Sequence, residues 1–222
     1  MPAIILSYEN RKKSILFSQI PKTGGTAIMN FFKQSGAQTF LYGHVDPIVG
    51  LAKCPTQHYE YKILDQILNI EKFDFSFAIM RDPLSRSKSD YLWSLRNSIN
   101  SNANIPSFDY WFNSMVQLYE INPYILDNHI RPQSDFLGDK LSKIYRYEDG
   151  LEEVLNDVLE NIGVNKRVET VERRNTSLKN TGLNSQNILH SLEVDVALRS
   201  FYERDFKIWD SLRFSKSNNG QT

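Results

Sequence analysis

Short apolar runs alternate along the chain with longer segments in which apolar residues recur three and four positions apart. The short runs predict buried strands, at residues 14–20, 74–80 and 143–147. The longer segments predict helices, at residues 27–33 (ending near Gly36), 59–73, 83–95, 108–119, 151–162 and 192–209. Because strands alternate with helices, we expect a single α/β domain with a central, mostly parallel sheet flanked by helices.

The remaining segments lack both periodicities and should flank or connect these elements. They are an N-terminal extension at 1–13, an Asn- and Ser-rich flexible loop at 97–106, an irregular polar stretch at 169–184 and a disordered tail at 215–222. Asp149 and Glu152 have the spacing of a capping box at a helix start. No internal repeat or linker divides the chain, so residues 1–222 are expected to form one domain.

Charge and cysteine content narrow the functional classes. The 222 residues include 26 Lys plus Arg and 26 Asp plus Glu, so the formal net charge is zero. This balance gives no support for nucleic-acid binding, and an anionic ligand must be held by a local cluster. The single cysteine, Cys54, excludes an intrachain disulfide and favours a reducing compartment. No apolar run is long enough to span a membrane, and we expect a soluble, cytoplasmic protein.

A glycine turn joins the first predicted strand to the first predicted helix. Gly24 and Gly25 allow the backbone to approach a ligand and to direct several N–H groups at one point, where the helix N-terminus adds positive charge. Lys22 contributes a full charge, and Thr23 and Thr26 contribute hydroxyl groups. This P-loop-like turn indicates a cradle for phosphate or sulfate, while a ligand-free tight turn is the alternative interpretation.

The turn differs from a Walker A loop in the place of its lysine. A Walker A lysine follows the last glycine of the motif, whereas Lys22 precedes both glycines. A nucleotide or nucleoside kinase would also need Mg²⁺ ligands. The kinase is therefore kept as an alternative and not as the leading interpretation.

Two motifs together resemble a known enzyme family. Residues 20–26, Ile-Pro-Lys-Thr-Gly-Gly-Thr, resemble the 5′-phosphosulfate loop of the sulfotransferases that use 3′-phosphoadenosine-5′-phosphosulfate (PAPS). The resemblance is closest to the carbohydrate branch that includes the heparan sulfate 2-O-sulfotransferases. Residues 81–86, Arg-Asp-Pro-Leu-Ser-Arg, followed by Ser89 and Tyr91, resemble the 3′-phosphate-binding strand and helix. Similar segments downstream extend the resemblance over residues 15–209.

The resemblance implies a donor site that draws on both motifs. Its donor-binding residues would be Lys22, Thr23, Gly24, Gly25, Thr26, Arg81, Ser89, Asn175 and Ser177. Lys22 would also be catalytic, because a fixed cation stabilises the charge that develops on the leaving group. Arg81 would bind two oxygens of the 3′-phosphate, and Ser89 would donate a hydrogen bond to it. For Arg86, a ligand contact and a place on the helix surface both stay open.

His44 is the candidate catalytic base. It lies in Tyr42-Gly43-His44-Val45, which is similar to the segment that carries the catalytic histidine of the carbohydrate 2-O-sulfotransferases. Many related enzymes have a second histidine where this chain has Tyr42. A histidine suits the removal of a hydroxyl proton because its pKa lies near neutral pH. The alternative is a histidine that is only satisfied within a loop.

The candidate acceptor-binding residues are His129, Arg131 and Gln133, which lie in a segment similar to one near the family's acceptor cleft. His58 is a weaker candidate that would equally suit a helix start. The aromatic residues at 110–112 would form either a sugar-stacking wall or, more commonly, core. The histidines lack the spacing of a metal motif, and sulfuryl transfer from PAPS needs no metal.

These observations predict a PAPS-dependent sulfotransferase that transfers a sulfuryl group to a hydroxyl, with a carbohydrate as the expected acceptor. Besides the kinase, a non-catalytic module that binds PAPS or its desulfated product stays open, because binding and catalysis share most of the site. An enzyme that sulfates protein tyrosine is a further alternative. By analogy with the family, we expect a bacterial-type cytoplasmic enzyme without a membrane anchor.

Overall fold

The computed structural model describes residues 2–43, 52–95, 105–172 and 185–218, with side chains described up to residue 212. The chain forms two compact units, each assembled from two stretches. The first unit comprises Met1–Met80 with Gln133–Arg174, and the second comprises Arg81–Pro132 with Asn175–Thr222. Most of the predicted flexible loop and of the irregular polar stretch lies outside the described residues.

A five-stranded sheet is the centre of the first unit. Its strands are β1 (Ala3–Tyr8), β2 (Arg11–Ser18), β3 (Gln38–Phe40), β4 (Phe75–Met80) and β5 (Lys143–Arg146). They are arranged in the order β3-β1-β2-β4-β5. β4 is parallel to β2 and β5, whereas β1 is antiparallel to β2 and β3. The sheet is therefore mixed, and the mostly parallel sheet expected from the sequence is found only in the half formed by β2, β4 and β5.

The antiparallel half begins inside the segment that the sequence predicted to be an extension. β1 pairs with β2 through a hairpin whose two turn residues, Glu9 and Asn10, have positive φ angles of 46° and 60°. Such two-residue turns match the twist of the strands and are usually marked by a glycine. Glu9-Asn10 lacks that glycine, and for this reason the hairpin escaped prediction.

Each predicted helical segment contains a helix. The described helices of seven or more residues are α1 (Gly25–Gln34), α2 (Tyr61–Ile67), α3 (Pro83–Ser94), α4 (Phe108–Ile121), α5 (Leu151–Asn161), α6 (Leu192–Phe201) and α7 (Glu203–Asn218). The helix predicted at 59–73 ends early because Leu68 is extended, and a 3-10 turn, Ile70–Lys72, follows. The last predicted helix is broken at Tyr202. α7 then continues to Asn218, into the predicted tail.

The capping box predicted before α5 does not form. Gly150 is the N-cap residue, with φ 97° and no side-chain cap. The Glu152 carboxylate instead accepts a hydrogen bond from the Val171 N–H at 3.1 Å, and Asp149 lies 3.8 Å from the Arg146 guanidinium. Both side chains thus bind partners outside the first turn of the helix.

The core of the first unit lies between the sheet and the helices α1 and α5. Phe17 on β2 and Phe77 on β4 are fully buried and stack with ring centroids 4.7 Å apart. The apolar stripe of α5, which includes Leu155 and Val158, packs into the same core. Burial of each of these side chains contributes about 2–3 kcal/mol. This core fixes the end of β2 and the start of α1, between which the glycine turn lies.

Helices α3, α4 and α6 supply the core of the second unit. Trp111 and Phe112 are buried in it beside Tyr91, while Tyr110 is exposed. Core packing is therefore the correct interpretation for two of the three aromatic residues at 110–112. Among the described helices, none is both long and apolar enough to cross a membrane.

Candidate functional site

The glycine turn has the strand–turn–helix arrangement that the sequence predicts. β2 ends at Ser18, and α1 begins at Gly25 with Gly24 as its N-cap. Lys22 and Gly24 have left-handed φ angles of 68° and 88°. The first turn of α1 carries no acidic residue, and its N-cap residue, Gly24, has no side chain to cap it. The partial positive charge of this helix end is therefore not compensated by a neighbouring carboxylate of its own first turn.

Packing explains why glycines occupy both positions of the turn. A Cβ atom on Gly24 would lie 2.8 Å from Cδ1 of Leu151, and one on Gly25 would lie 2.5 Å from Cδ of Gln19. Thr23 is fully buried, and its hydroxyl donates a hydrogen bond to the Ile20 carbonyl at 2.9 Å. The Thr23 side chain thus braces the turn, which leaves its backbone N–H as the group that a ligand would meet.

The second motif begins where β4 ends and starts helix α3. Asp82 is the N-cap residue, and its Oδ1 accepts a hydrogen bond from the Ser85 N–H at 2.7 Å. Pro83 occupies the first turn, where its missing N–H costs nothing. Arg81 and Ser89 flank this start and are both half-buried. The motif therefore has a structural part, Asp82-Pro83, between two polar residues that are partly exposed.

Strands β2 and β4, which precede the two motifs in the chain, end at the same edge of the sheet. β2 and β4 are parallel neighbours, and Ser18 pairs with Ala78 near their carboxyl ends. In α/β sheets, ligands bind in the crevice outside the carboxyl ends of the strands. The turn after Ser18 and the chain after Met80 both start there.

Arg86 is neither a surface residue nor a group open to a ligand. It is 1% exposed, and its Nη2 donates hydrogen bonds to the carbonyls of His129 and of Arg131, the latter at 3.1 Å. The Tyr202 hydroxyl donates to the carbonyl between them, that of Ile130, at 2.8 Å. Burial raises the pKa of Tyr202, so the phenol stays protonated as a donor. Three consecutive carbonyls are thus held by two buried side chains.

The predicted acceptor-binding residues are all buried in protein contacts. Nδ1 of His129 lies 2.7 Å from Oδ1 of Asp90, and the Trp93 ring is tilted against the imidazole with the ring centroids 4.5 Å apart. Nε of Arg131 donates to Oδ1 of Asn128 at 2.7 Å. Gln133 belongs to the first unit, where it is fully buried in a 3-10 turn. All three side chains are thus enclosed by the protein, and a contact with the acceptor stays a prediction.

The remaining candidate site residues lie either outside the described residues or in short connecting segments. His44, Asn175 and Ser177 lie outside the part of the chain that the structure describes. His58 is buried at the end of a 3-10 turn, and its carbonyl lies 3.8 Å from Sγ of Cys54. Tyr42, at the position of the family's second histidine, lies under the Lys33 ammonium at 4.5 Å, and burial raises its pKa.

Two polar residues that the sequence did not single out stand near the motifs. Gln19 is buried behind Gly25. Lys88 on α3 is 9% exposed, and loss of hydration lowers its pKa against the opposing influence of Asp82 and Asp195. Within the described ranges, no group of three His, Cys, Asp or Glu side chains is arranged to hold a metal ion.

Comparison with known proteins identifies the family. Searches among curated proteins and among solved structures found no match. A family model described as "Sulfotransferase family" matches residues 8–210, which include both motifs and both units. The match covers far more than half of the 222 residues. The chain therefore belongs to the sulfotransferase family, whose members catalyse sulfuryl transfer and generally use PAPS as the donor.

Proposed function

We propose that this sulfotransferase transfers the sulfuryl group of PAPS to a hydroxyl of a carbohydrate. The observation that carries the proposal is the turn at 21–26. It combines Lys22, two glycines required by packing and a helix N-terminus whose N-cap residue, Gly24, has no side chain. Such an end of a helix favours tetrahedral anions.

The donor would be held at its two ends by the two motifs. The 5′-phosphosulfate would lie against the turn at 21–26, and Arg81 with Ser89 would bind the 3′-phosphate. A guanidinium binds two phosphate oxygens at once, which distinguishes a 3′-phosphate from a hydroxyl. Asn175 and Ser177 would complete the nucleotide site. The resulting selectivity for a 3′-phosphorylated nucleotide separates this proposal from a kinase.

The reaction would be an in-line displacement at sulfur. The acceptor oxygen forms a bond to sulfur while the bond from sulfur to the bridging oxygen of the 5′-phosphate breaks. His44 takes the proton of the acceptor hydroxyl, and Lys22 stabilises the charge left on the 5′-phosphate. The products are a sulfate ester and adenosine 3′,5′-bisphosphate.

The acceptor proposal rests on the sequence similarity of the segments around His44 and His129. A backbone held by Arg86 and Tyr202 offers a rigid surface, which favours positioning of an acceptor. The single cysteine is consistent with a cytoplasmic site of action, which we also propose.

Turnover tests the proposal and separates an enzyme from a binding module. The purified chain would be incubated with PAPS and a panel of polysaccharides that includes uronic-acid-containing acceptors, with release of the bisphosphate and sulfate on the polysaccharide as readouts. We expect transfer by the wild type and its loss in His44→Ala, with nucleotide binding retained. Nucleotide binding without transfer to any acceptor would support the module and contradict the enzyme.

A further inference from the structure

Gln19 carries a polar atom that the fold leaves without a partner. The residue is 6% exposed, and its Oε1 is buried without a hydrogen-bond partner among the described residues. A buried acceptor in this condition costs roughly 1–3 kcal/mol. Native structures hold few such groups, and each requires a physical explanation.

The amide lies at the first residue of helix α1. A Cβ atom built on Gly25 would meet Cδ of Gln19 at 2.5 Å, Cγ at 2.7 Å and Nε2 at 2.8 Å. Gly25 therefore makes room for this side chain, and the amide rests against the end of the helix where backbone N–H groups are unpaired by the helix itself. A helix of 10 residues supports a sizeable partial positive charge at that end.

Packing alone does not account for an amide here. The side chain is buried and its Oε1 has no partner among the described residues, so a methionine of similar length would occupy the same place without an unpaired acceptor. Sequences break such local rules most often at functional sites. The amide is also a neutral donor and acceptor on a side chain already confined by its surroundings.

We propose that the Gln19 amide is a further donor-binding group, which hydrogen-bonds a tetrahedral oxyanion of PAPS, either the 5′-phosphate or the sulfuryl group. A half-turn about the Cγ–Cδ bond exchanges the amide oxygen and nitrogen, so that the N–H₂ group can face the anion. The inference rests on the proposed function, since it needs PAPS at the N-terminus of α1. It adds a neutral hydrogen-bond donor beside the Lys22 cation.

Two substitutions at Gln19 and one matched control test the role. Gln19→Met keeps the length and removes the hydrogen bond, and Gln19→Glu adds a negative charge at the same place. Gln57→Met is the control, because Gln57 is another buried glutamine, in the 3-10 turn Thr56–His58 away from the glycine turn. Each variant would be titrated calorimetrically with adenosine 3′-phosphate, adenosine 3′,5′-bisphosphate and PAPS, and its thermal unfolding recorded.

We expect Gln19→Met to weaken binding of PAPS roughly tenfold while its melting temperature stays level or rises, because the unpaired acceptor is gone. Gln19→Glu should bind PAPS more weakly still, and Gln57→Met should bind like the wild type. Equal losses for PAPS and the bisphosphate would place the contact on the 5′-phosphate, and a loss for PAPS alone would place it on the sulfuryl group. Adenosine 3′-phosphate lacks both groups and should bind all variants alike.

Failure of the role of Gln19 and failure of the proposed function would give different results. A wild type that binds PAPS together with a Gln19→Met variant that binds it equally well would overturn the role of Gln19 and leave the donor site standing. Equal weakening for all three nucleotides with a lower melting temperature would show a structural residue and also overturn the role. A wild type that binds none of the three would overturn the proposed function and this inference with it.

Discussion

Two irregular segments of the chain are held in place by opposite means. The turn at 21–26 in the first unit is fixed by short-range features, which are two glycines, the start of α1 and the bond from Thr23 to Ile20. The segment at 129–131 in the second unit is fixed by long buried side chains that are distant in sequence, Arg86 on α3 and Tyr202 between α6 and α7. A segment held locally can leave one face open to a ligand, whereas a segment held from all sides provides a fixed wall.

The comparison predicts that the turn governs catalysis and the held segment governs stability. Substitutions in the turn that spare its packing should reduce turnover without changing unfolding. Substitutions that release the segment at 129–131 should first lower the free energy of unfolding.

Lys22→Ala should have the largest effect, because it removes the only cation of the turn. Turnover of PAPS should fall roughly 10²–10³-fold, the usual cost of losing a group that stabilises developing charge. The melting temperature should not change. Steady-state kinetics and thermal unfolding measure both quantities.

The control for Lys22→Ala is Lys12→Ala, since Lys12 is exposed on β2. Lys12→Ala should leave both quantities at their wild-type values. Equal rates for Lys22→Ala and the wild type would contradict the role of the turn in catalysis.

Arg86→Met should destabilise the protein by about 3 kcal/mol, because it leaves the buried carbonyls of His129 and Arg131 without their donor. Equilibrium denaturation by urea measures the loss. Arg199→Met is the matched control, since Arg199 is exposed and pairs with Asp195 in a surface ion pair. That variant should lose no more than about 1 kcal/mol. If Arg86→Met lost as little free energy of unfolding as Arg199→Met, Arg86 would not be needed to fix the segment at 129–131.

Gly24→Ala should destabilise the protein by about 1 kcal/mol more than Gly36→Ala. Both glycines have positive φ, 88° and 77°, so the backbone strain of alanine is similar. A Cβ on Gly24 meets Leu151 at 2.8 Å, whereas a Cβ on Gly36 has no atom within 4 Å. The difference in free energy of unfolding therefore measures packing of the turn alone. Equal losses of free energy of unfolding would mean that helix α5 shifts to accommodate the added methyl group.

The smallest effect concerns pH. The Asp74 carboxylate accepts hydrogen bonds from the Ser14 N–H at 2.7 Å and hydroxyl at 2.8 Å, which hold the pKa of Asp74 below its ordinary value. Because the folded pKa is depressed, this contribution is complete above the unfolded pKa of about 3.9 and is lost as pH falls through the folded value. Asp74→Asn should flatten the acid branch of the stability curve, measured by denaturation at several pH values. Glu120→Gln, at an exposed site on α4, should leave the branch unchanged.

The sequence could predict the segment that is fixed by neighbouring residues better than the segment that is fixed by distant side chains. Residues 20–26 are contiguous, and their glycines, lysine and helix start are visible as a pattern, so the strand–turn–helix arrangement was predicted with its neighbours. The mixed sheet was not, because β1 returns through a hairpin without glycine and β3 has only three residues. Pairing direction depends on that topology, which periodicity does not encode.

The sequence also could not predict the roles of residues whose contacts are with parts of the chain far away in sequence. Nothing local distinguishes Arg86 from Arg81, and only the packing of α3 shows that Arg86 is buried against carbonyls more than 40 residues away in sequence. In the sequence, Gln19 is an ordinary residue at the end of a strand. Only the structure shows that its side chain lies against Gly25. His44 stays a sequence prediction, since it lies outside the described residues.

A calorimetric titration of the purified chain with adenosine 3′,5′-bisphosphate, ADP and ATP in the absence of metal would decide whether the protein has a PAPS donor site. We expect tight binding of the bisphosphate and much weaker binding of ADP and ATP, because the proposed site binds a 3′-phosphate. Binding of ATP as tight as that of the bisphosphate, or no binding of the bisphosphate, would contradict a PAPS donor site.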